Sequence, residues 1–140
     1  MKIFRITVLM LAVVIGATAA MAQTKSKKME RTVDAKTLWA AFSTNNDKAA
    51  KDYSGEWEIT GYASYVGPDP YALPSVEVTN TKDGKSQVMC VLPFGDYLKL
   101  RRVKKGDRVR IAGHPLGYYE KGDQVVTKQC RILEVNGNKQ

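Results

Sequence analysis

The chain has 140 residues, of which 44% are hydrophobic and 26% are charged, and its 22 basic and 14 acidic residues give a formal net charge of +8. This length is sufficient for one hydrophobic core and excludes two ordinary domains. A single histidine and the lack of a Cys-x-x-Cys pair exclude a Cys/His zinc site and a thioredoxin-like redox motif, so we expect no metal and no cofactor.

The N-terminus has the pattern of a secretory signal. Lys2 and Arg5 make a positive start, residues 6–20 are apolar and uncharged, and Ala20-Met21-Ala22 fits the cleavage pattern. We therefore predict a signal peptide over residues 1–22 and a periplasmic or secreted protein. The alternative is an uncleaved membrane anchor, for which the apolar run is short. No cysteine follows the cleavage site, which argues against a lipid-anchored protein.

Cleavage would leave 118 of the 140 residues, with no integral membrane span, and we expect a monomer. Because the signal contains two basic residues and no acidic one, the net charge would fall from +8 to +6. A positive protein attracts nucleic acid, lipopolysaccharide and acidic glycans alike, so the charge does not choose among them. We expect a flexible basic lead-in over residues 23–32, one domain over residues 33–135 and a loose tail over residues 136–140.

Two short helices are predicted before the first strand. Asp34 can cap a helix in which Leu38, Trp39 and Phe42 form one apolar face. Asn45 and Asn46 are expected to end it. A second helical stretch covers residues 47–53, and Gly55 follows as its C-terminal stop.

Period-two alternation and turn signals then predict five strands, at residues 57–66, 75–79, 86–92, 108–113 and 123–135. Prolines stiffen the loop around Tyr71, and Asp83-Gly84 predicts a tight turn. A short helix is expected over residues 94–103. Five strands with a helix between the third and the fourth is the layout of the OB-fold, a Greek-key barrel, so the fold class is mainly β with an N-terminal helix.

The span from about Val33 to Val135 resembles the tRNA-anti-like OB-fold family of exported bacterial proteins. The resemblance rests on an N-terminal helix, a Tyr-x-Gly entry to the first strand, a Gly-Asp turn before the fourth and a cysteine pair. These features are Leu38-Trp39-Ala40-Ala41-Phe42, Tyr53-Ser54-Gly55, Ile59-Thr60-Gly61, Val88-Met89-Cys90, Lys105-Gly106-Asp107-Arg108-Val109 and Lys128-Gln129-Cys130. The resemblance implies the fold and leaves the ligand open.

Cys90 and Cys130 have the strand parity of interior positions on two strands that are neighbours in an OB barrel. A disulfide between them would close a loop of about 40 residues and would contribute roughly 4 kcal/mol in the chain-entropy model. The alternatives are two reduced core thiols and, least favoured, a redox pair.

A basic run of twelve residues follows the third strand. Its cations are Lys99, Arg101, Arg102, Lys104, Lys105, Arg108 and Arg110. This density could hold a phosphate backbone. The topology instead favours a solvated end of the barrel, because OB ligands usually lie across the second and third strands and between the first and fourth loops.

Tyrosines are better placed for a ligand. Tyr65 and Tyr71 lie in or beside the loop after the first strand, and Tyr118, Tyr119 and Lys121 lie in the loop before the fifth. Those loops flank the usual OB cleft, where exposed tyrosines stack on bases or sugar rings. The alternative is ordinary packing within a small barrel.

Catalysis is not expected, because His114 has no Gly-x-Ser-x-Gly nucleophile to act on and the aspartates are scattered over separate turns. We predict a non-enzymatic binding module for an anionic polymer, either nucleic acid or an envelope polysaccharide. The alternative is a protein-interaction or envelope-assembly module, which an exposed apolar face on Leu38, Trp39 and Phe42 would favour.

Overall fold

The computed structural model describes residues 31–140, and residues 32–140 form one compact unit. The predicted signal peptide and nearly all of the predicted lead-in lie outside the described residues. No helix among residues 31–140 is both long and apolar enough to cross a bilayer. The elements are β1 (Thr32–Asp34), α1 (Ala35–Thr44), α2 (Asn46–Asp52), β2 (Trp57–Pro68), β3 (Pro74–Thr79), β4 (Val88–Val91), a 3₁₀ helix (Phe94–Arg102), β5 (Arg108–Tyr119), β6 (Gln124–Val135) and β7 (Asn138–Lys139).

Five strands close into a barrel in the order β2, β3, β4, β6, β5, with β5 pairing back onto β2. The β4–β6 pair is parallel and the other barrel pairs are antiparallel. This arrangement confirms the OB-fold prediction and the expected contact between the third and fifth barrel strands. The predicted helix between β4 and β5 is the 3₁₀ helix, a rough match. The sequence did not predict β1, which lies outside the barrel and runs parallel to β2.

Helix α1 covers part of the barrel core. Asp34 caps it by accepting a hydrogen bond from the Thr37 amide at 2.8 Å, as predicted. Leu38 and Phe42 are fully buried and join the apolar interior of the barrel. Leu38 and Phe42 belong to the apolar face that a protein-interaction module would have exposed, and both are instead buried in the core. The barrel side of this core includes Ile59, Val76, Val78, Val88, Ile111 and Val125.

The predicted break after α1 is a single residue. The Asn45 amide donates to the Ala41 carbonyl at 3.1 Å and so ends α1, while its side chain accepts from the Lys48 amide at 3.1 Å and so starts α2. Asn46 is already helical. Its side-chain oxygen accepts from the Tyr118 amide at 2.9 Å, which ties the start of α2 to β5.

The prediction that the fourth barrel strand ends at Gly113 is wrong, because β5 continues through Pro115 to Tyr119. Beyond Gly113 the strand pairs with β6 alone, so the N–H that proline lacks is not needed by a second neighbour. Register shifts on either side of Pro115 mark β-bulges. The predicted loop over residues 115–122 therefore shrinks to a tight turn.

The chain end also differs from the prediction, since residues 136–140 are not a loose tail. Strand β7 pairs with β6 through Glu134 with Lys139 and Val135 with Asn138. The two turn residues, Asn136 and Gly137, have φ of 50° and 82°, as a two-residue hairpin turn requires. Asn-Gly is a hairpin signal that the sequence interpretation missed.

The cysteines are both buried, as their strand parity predicted, and both are free thiols in this structure. The neighbouring Cys130 thiol, together with burial, raises the pKa of the Cys90 thiol well above its usual value. Cys130 lies where a side chain on Gly113 would point, because a Cβ there would be 2.5 Å from its sulfur. Glycine at that position therefore makes room for the cysteine.

We predict that Phe42→Ala lowers the free energy of unfolding by about 3–5 kcal/mol, because it removes a fully buried ring and leaves a cavity under α1. Urea denaturation followed by circular dichroism measures this. Lys36→Ala on the exposed face of the same helix is the matched control and should change stability by no more than about 0.5 kcal/mol. Equal effects of the two substitutions would show that α1 is not part of the core.

Candidate ligand cleft

Tyr71 is displayed by a rigid loop between β2 and β3. The buried Asp69 carboxylate accepts from the amides of Tyr71 and Leu73, both at 2.8 Å, and the Asp69 amide donates to the Leu73 carbonyl at 2.7 Å. This is the local turn chemistry that aspartate favours. These hydrogen bonds hold the loop from its buried side, while the Tyr71 side chain is 83% exposed. The predicted stiff loop therefore presents an aromatic ring to solvent.

Tyr119 is the facing aromatic residue, at the last position of β5. It pairs with Gln124 across the turn to β6, and its ring lies over Gly122, where a Cβ would be 2.8 Å from the ring. Its side chain is 42% exposed. The sequence had placed Tyr118 and Tyr119 in a loop; the structure places both on the strand end, which fixes their directions.

The two exposed tyrosines border one cleft. A small concavity of about 80 Å³ has Met89 and Val126 as its apolar floor, and its remaining lining residues are Asp69, Pro70, Tyr71, Tyr119 and Lys128. Met89 and Val126 are paired neighbours on β4 and β6. A more open depression adjoins it and shares Tyr71 and Tyr119, with Asn46, Tyr118, Glu120 and Lys121 on its other sides. Four of the five residues predicted for a cleft are thus brought together.

The fifth predicted residue, Tyr65, takes no part in the lining of these two concavities. Its hydroxyl donates to the Pro68 carbonyl at 2.7 Å, and its ring lies beside Gly67. Tyr65 therefore closes the end of β2 and does not face Tyr71.

Tyr118 lines the cleft, but its hydroxyl is already bound. It donates to the Asp123 carboxylate, which also accepts from Trp39 Nε1 at 2.9 Å and from Lys85 Nζ at 3.0 Å. These donors come from β5, α1 and the β3–β4 loop. We call this four-residue cluster the Asp123 clasp. Three hydrogen bonds lower the pKa of Asp123 from 3.8 to about 2. The bond from Tyr118 has the largest effect, and those from Trp39 and Lys85 come next.

Charge at the cleft is mixed. Lys128 borders the apolar floor and Lys121 borders the open part, where Glu120 also lies. On the same sheet surface, Glu77 pairs with Met89 and accepts a hydrogen bond from Gln124 Nε2. The cleft therefore offers aromatic and apolar contacts with only two cations.

The basic run lies apart from the residues that line the cleft. Arg110 contacts Glu58 and Glu134 at 3.9 and 3.8 Å, and Lys99 contacts Asp96 at 3.3 Å. The other cations of the run are exposed and form no ion pair within residues 31–140; they are Arg101, Arg102, Lys104, Lys105 and Arg108. The structure thus separates the densest positive charge from the tyrosines.

Sequence reasoning missed the cleft floor and the clasp. Met89 and Val126 occupy the positions between buried strand residues, so strict alternation could have placed them on the outer surface beside each other. Nothing local marks Asp123 as a partner of Trp39, which is 84 residues away. Within residues 31–140, no group of three His, Cys, Asp or Glu side chains is positioned to hold a metal ion.

Comparison with known proteins gives a family and a fold. The chain matches the family model described as tRNA_anti-like over residues 2–131. A Klebsiella pneumoniae lipoprotein for which nucleic-acid binding has been proposed superposes with a TM-score of 0.54 at 14% identity, covering 79% of this chain and 97% of that one. An OBody bound to hen egg-white lysozyme gives 0.43 at 16% identity, covering 61% and 86%. No curated protein is detectably similar in sequence.

We predict that the Asp123 clasp makes stability depend on acidity. Because the folded pKa of about 2 is below the ordinary 3.8, the contribution is complete above pH 5 and is lost as the pH falls toward 2. As the pH falls over that range, the free energy of unfolding of Asp123→Asn should decrease less steeply than that of the wild type. The difference in slope against pH should correspond to the uptake of up to about one proton. Urea midpoints measured at several pH values test this.

Asp83→Asn is the matched control, since Asp83 is exposed and has a similar left-handed backbone, with φ of 64° against 53° for Asp123. This variant should keep the wild-type acid profile. If Asp123→Asn also kept it, the carboxylate would not be held ionised by its three donors.

Proposed function

The chain belongs to the tRNA_anti-like family, and from this premise we propose that it is a non-enzymatic OB-fold binding module. The ligand lies in the cleft between Tyr71 and Tyr119 and is an anionic polymer of ring-shaped units, with single-stranded nucleic acid as the first candidate. One observation carries the proposal: two exposed tyrosines, Tyr71 in the loop after β2 and Tyr119 at the end of β5, border a shared apolar floor. Ligands of this fold commonly lie between the first and fourth loops and across the second and third barrel strands; Met89 of the cleft lies on the third.

Stacking is the interaction that this cleft supports best. Tyr71 and Tyr119 have exposed side chains, and Met89, Val126 and Pro70 supply apolar surface beside them. Base stacking on an aromatic side chain contributes about 1–3 kcal/mol per base and tolerates any sequence. A ligand held in this way would be bound mainly through its rings.

The anionic part of the ligand would meet Lys121 and Lys128. Two phosphate contacts predict a modest salt dependence, with a slope of log K against log salt of about −1.4 for a single strand. The proposed nucleic-acid binding of the Klebsiella lipoprotein supports nucleic acid as the first probe. An acidic envelope polysaccharide is the second candidate, because sugar rings also stack on tyrosine and uronic acids carry the same charge.

The absence of catalysis is proposed from the sequence and is consistent with the position of His114. Its Nε2 lies 4.0 Å from one oxygen of Glu56, whose other oxygen is bound by Arg131 at 2.6 Å. The histidine therefore lies beside a surface ion pair between Glu56 and Arg131. A module of this kind binds and does not turn over its ligand.

We predict that Tyr71→Ala and Tyr119→Ala each weaken binding of an oligothymidylate at least about tenfold, because each removes one stacking surface. Fluorescence anisotropy of a labelled oligonucleotide, repeated at several salt concentrations, measures the affinity and the slope. The same titration with labelled polygalacturonate separates the two candidate polymers: saturable binding of oligothymidylate alone favours the first, and saturable binding of polygalacturonate alone favours the second.

Two controls keep this test specific. Tyr65→Ala removes a tyrosine outside the cleft and should leave binding unchanged, and Tyr118→Phe keeps the ring while removing the hydroxyl bound to Asp123. Binding to neither polymer at low salt, or equal losses in Tyr65→Ala and Tyr71→Ala, would overturn the proposed cleft.

We also propose export, with cleavage after Ala22, and a disulfide between Cys90 and Cys130 in the exported protein. The support for the disulfide is two buried thiols on adjacent parallel strands. Oxidation passes two electrons and two protons to a disulfide-donating oxidant.

We predict no reactive thiol in denatured protein isolated from an oxidising compartment and two after reduction. Two thiols in both samples would leave the pair as reduced core residues.

A further inference from the structure

We infer that the 3₁₀ helix and the turn after it form a docking surface for an anionic phospholipid bilayer. The surface consists of Phe94, Leu98, Arg101, Arg102, Lys104 and Lys105, and we call it the amphiphilic surface. It is independent of the tyrosine cleft.

The apolar part is two large side chains that the fold does not use. Phe94 is 71% exposed and Leu98 is 70% exposed. Other residues of the segment fasten it to the barrel: Leu100 and Val103 are buried, and Tyr97 packs against the core. A kink at Asp96 lies between the two exposed residues, so Phe94 belongs to the first short 3₁₀ stretch of the segment and Leu98 to the second.

Phe94 is also supported in its exposed position. Its ring contacts the edge of the Tyr97 ring with a centroid distance of 6.2 Å and an interplanar angle of 81°. Because Tyr97 is partly buried, this contact connects the exposed ring to the core. The ring is thus held at the surface, available for insertion into another phase.

The cations beside these side chains lack counter-charges. Arg101, Arg102, Lys104 and Lys105 are exposed and have no ion-pair partner within residues 31–140. The two nearby acids are engaged. Asp96 pairs with Lys99, and the Asp107 carboxylate accepts from the Lys104 amide at 2.8 Å and from Asn136 Nδ2 at 3.1 Å. The surface therefore keeps a net positive field.

A bilayer fits this combination better than the other occupants. A stable protein interface needs about 800 Å² on each partner, far more than two side chains supply. Single-stranded nucleic acid would use an aromatic ring and the cations, but a leucine has no π-face for stacking. Apolar side chains bordered by lysine and arginine are the composition with which proteins enter the headgroup region of anionic membranes.

The test places a probe on the surface itself. Leu98→Cys in the protein expressed from the full-length sequence is labelled with an environment-sensitive dye; Cys90 and Cys130 are buried and do not react in the folded state. We expect a blue shift with vesicles of phosphatidylcholine and phosphatidylglycerol and little change with phosphatidylcholine alone. Leu116→Cys, at an exposed leucine on β5, is the matched control and should not respond.

Two double variants test the apolar and the cationic residues of the surface separately, by co-sedimentation with vesicles. Phe94→Ser with Leu98→Ser, and Arg101→Glu with Arg102→Glu, should each lower the partition onto anionic vesicles at least tenfold, while circular dichroism remains that of the wild type. No spectral shift at position 98, an equal shift at position 116, or a shift with oligothymidylate in place of vesicles would overturn the inference. Oligonucleotide binding at the cleft is unaffected by either result.

Discussion

The Asp123 carboxylate connects three parts of the molecule that are distant in sequence. It accepts hydrogen bonds from Trp39 on α1, Lys85 after β3 and Tyr118 on β5. Helix α1 is thereby tied to the end of β5, which carries Tyr118 and Tyr119. Hydrogen bonds to an ionised acceptor are roughly twice as strong as bonds between neutral groups. The clasp therefore connects the helix that covers the core to the strand end that borders the cleft.

The clasp also changes what the tyrosines can do. Tyr118 packs against the core and donates its hydroxyl to Asp123. Of the three tyrosines at the cleft, Tyr71 and Tyr119 are therefore the exposed ones. The cleft is then mostly apolar, with Lys121 and Lys128 as its cations. The net positive charge of the chain is therefore a poor guide to affinity at this site, because most of it lies elsewhere.

Local signals predicted the parts of the fold that depend on local chemistry. Asp34 caps α1 as its position suggested, and alternation found all five barrel strands. The errors came where tertiary context decides. Pro115 is tolerated inside β5 because the strand has one neighbour there, which the sequence around it cannot show. Asp123 resembles an ordinary turn residue, and its partners are brought to it only by the closed barrel.

Exposure that packing does not require is the best guide to function in a domain this small. Leu38 and Phe42 have the spacing of an apolar docking face on a helix, yet both are buried in the core. Tyr71 and Phe94 are the opposite case, since each is held outward by neighbours that are themselves well anchored, Asp69 under the first and Tyr97 under the second. Exposing a large ring to water forgoes the free energy of burying it. Because these two rings lie on separate elements, they indicate two surfaces whose exposed aromatic side chains are not needed for folding.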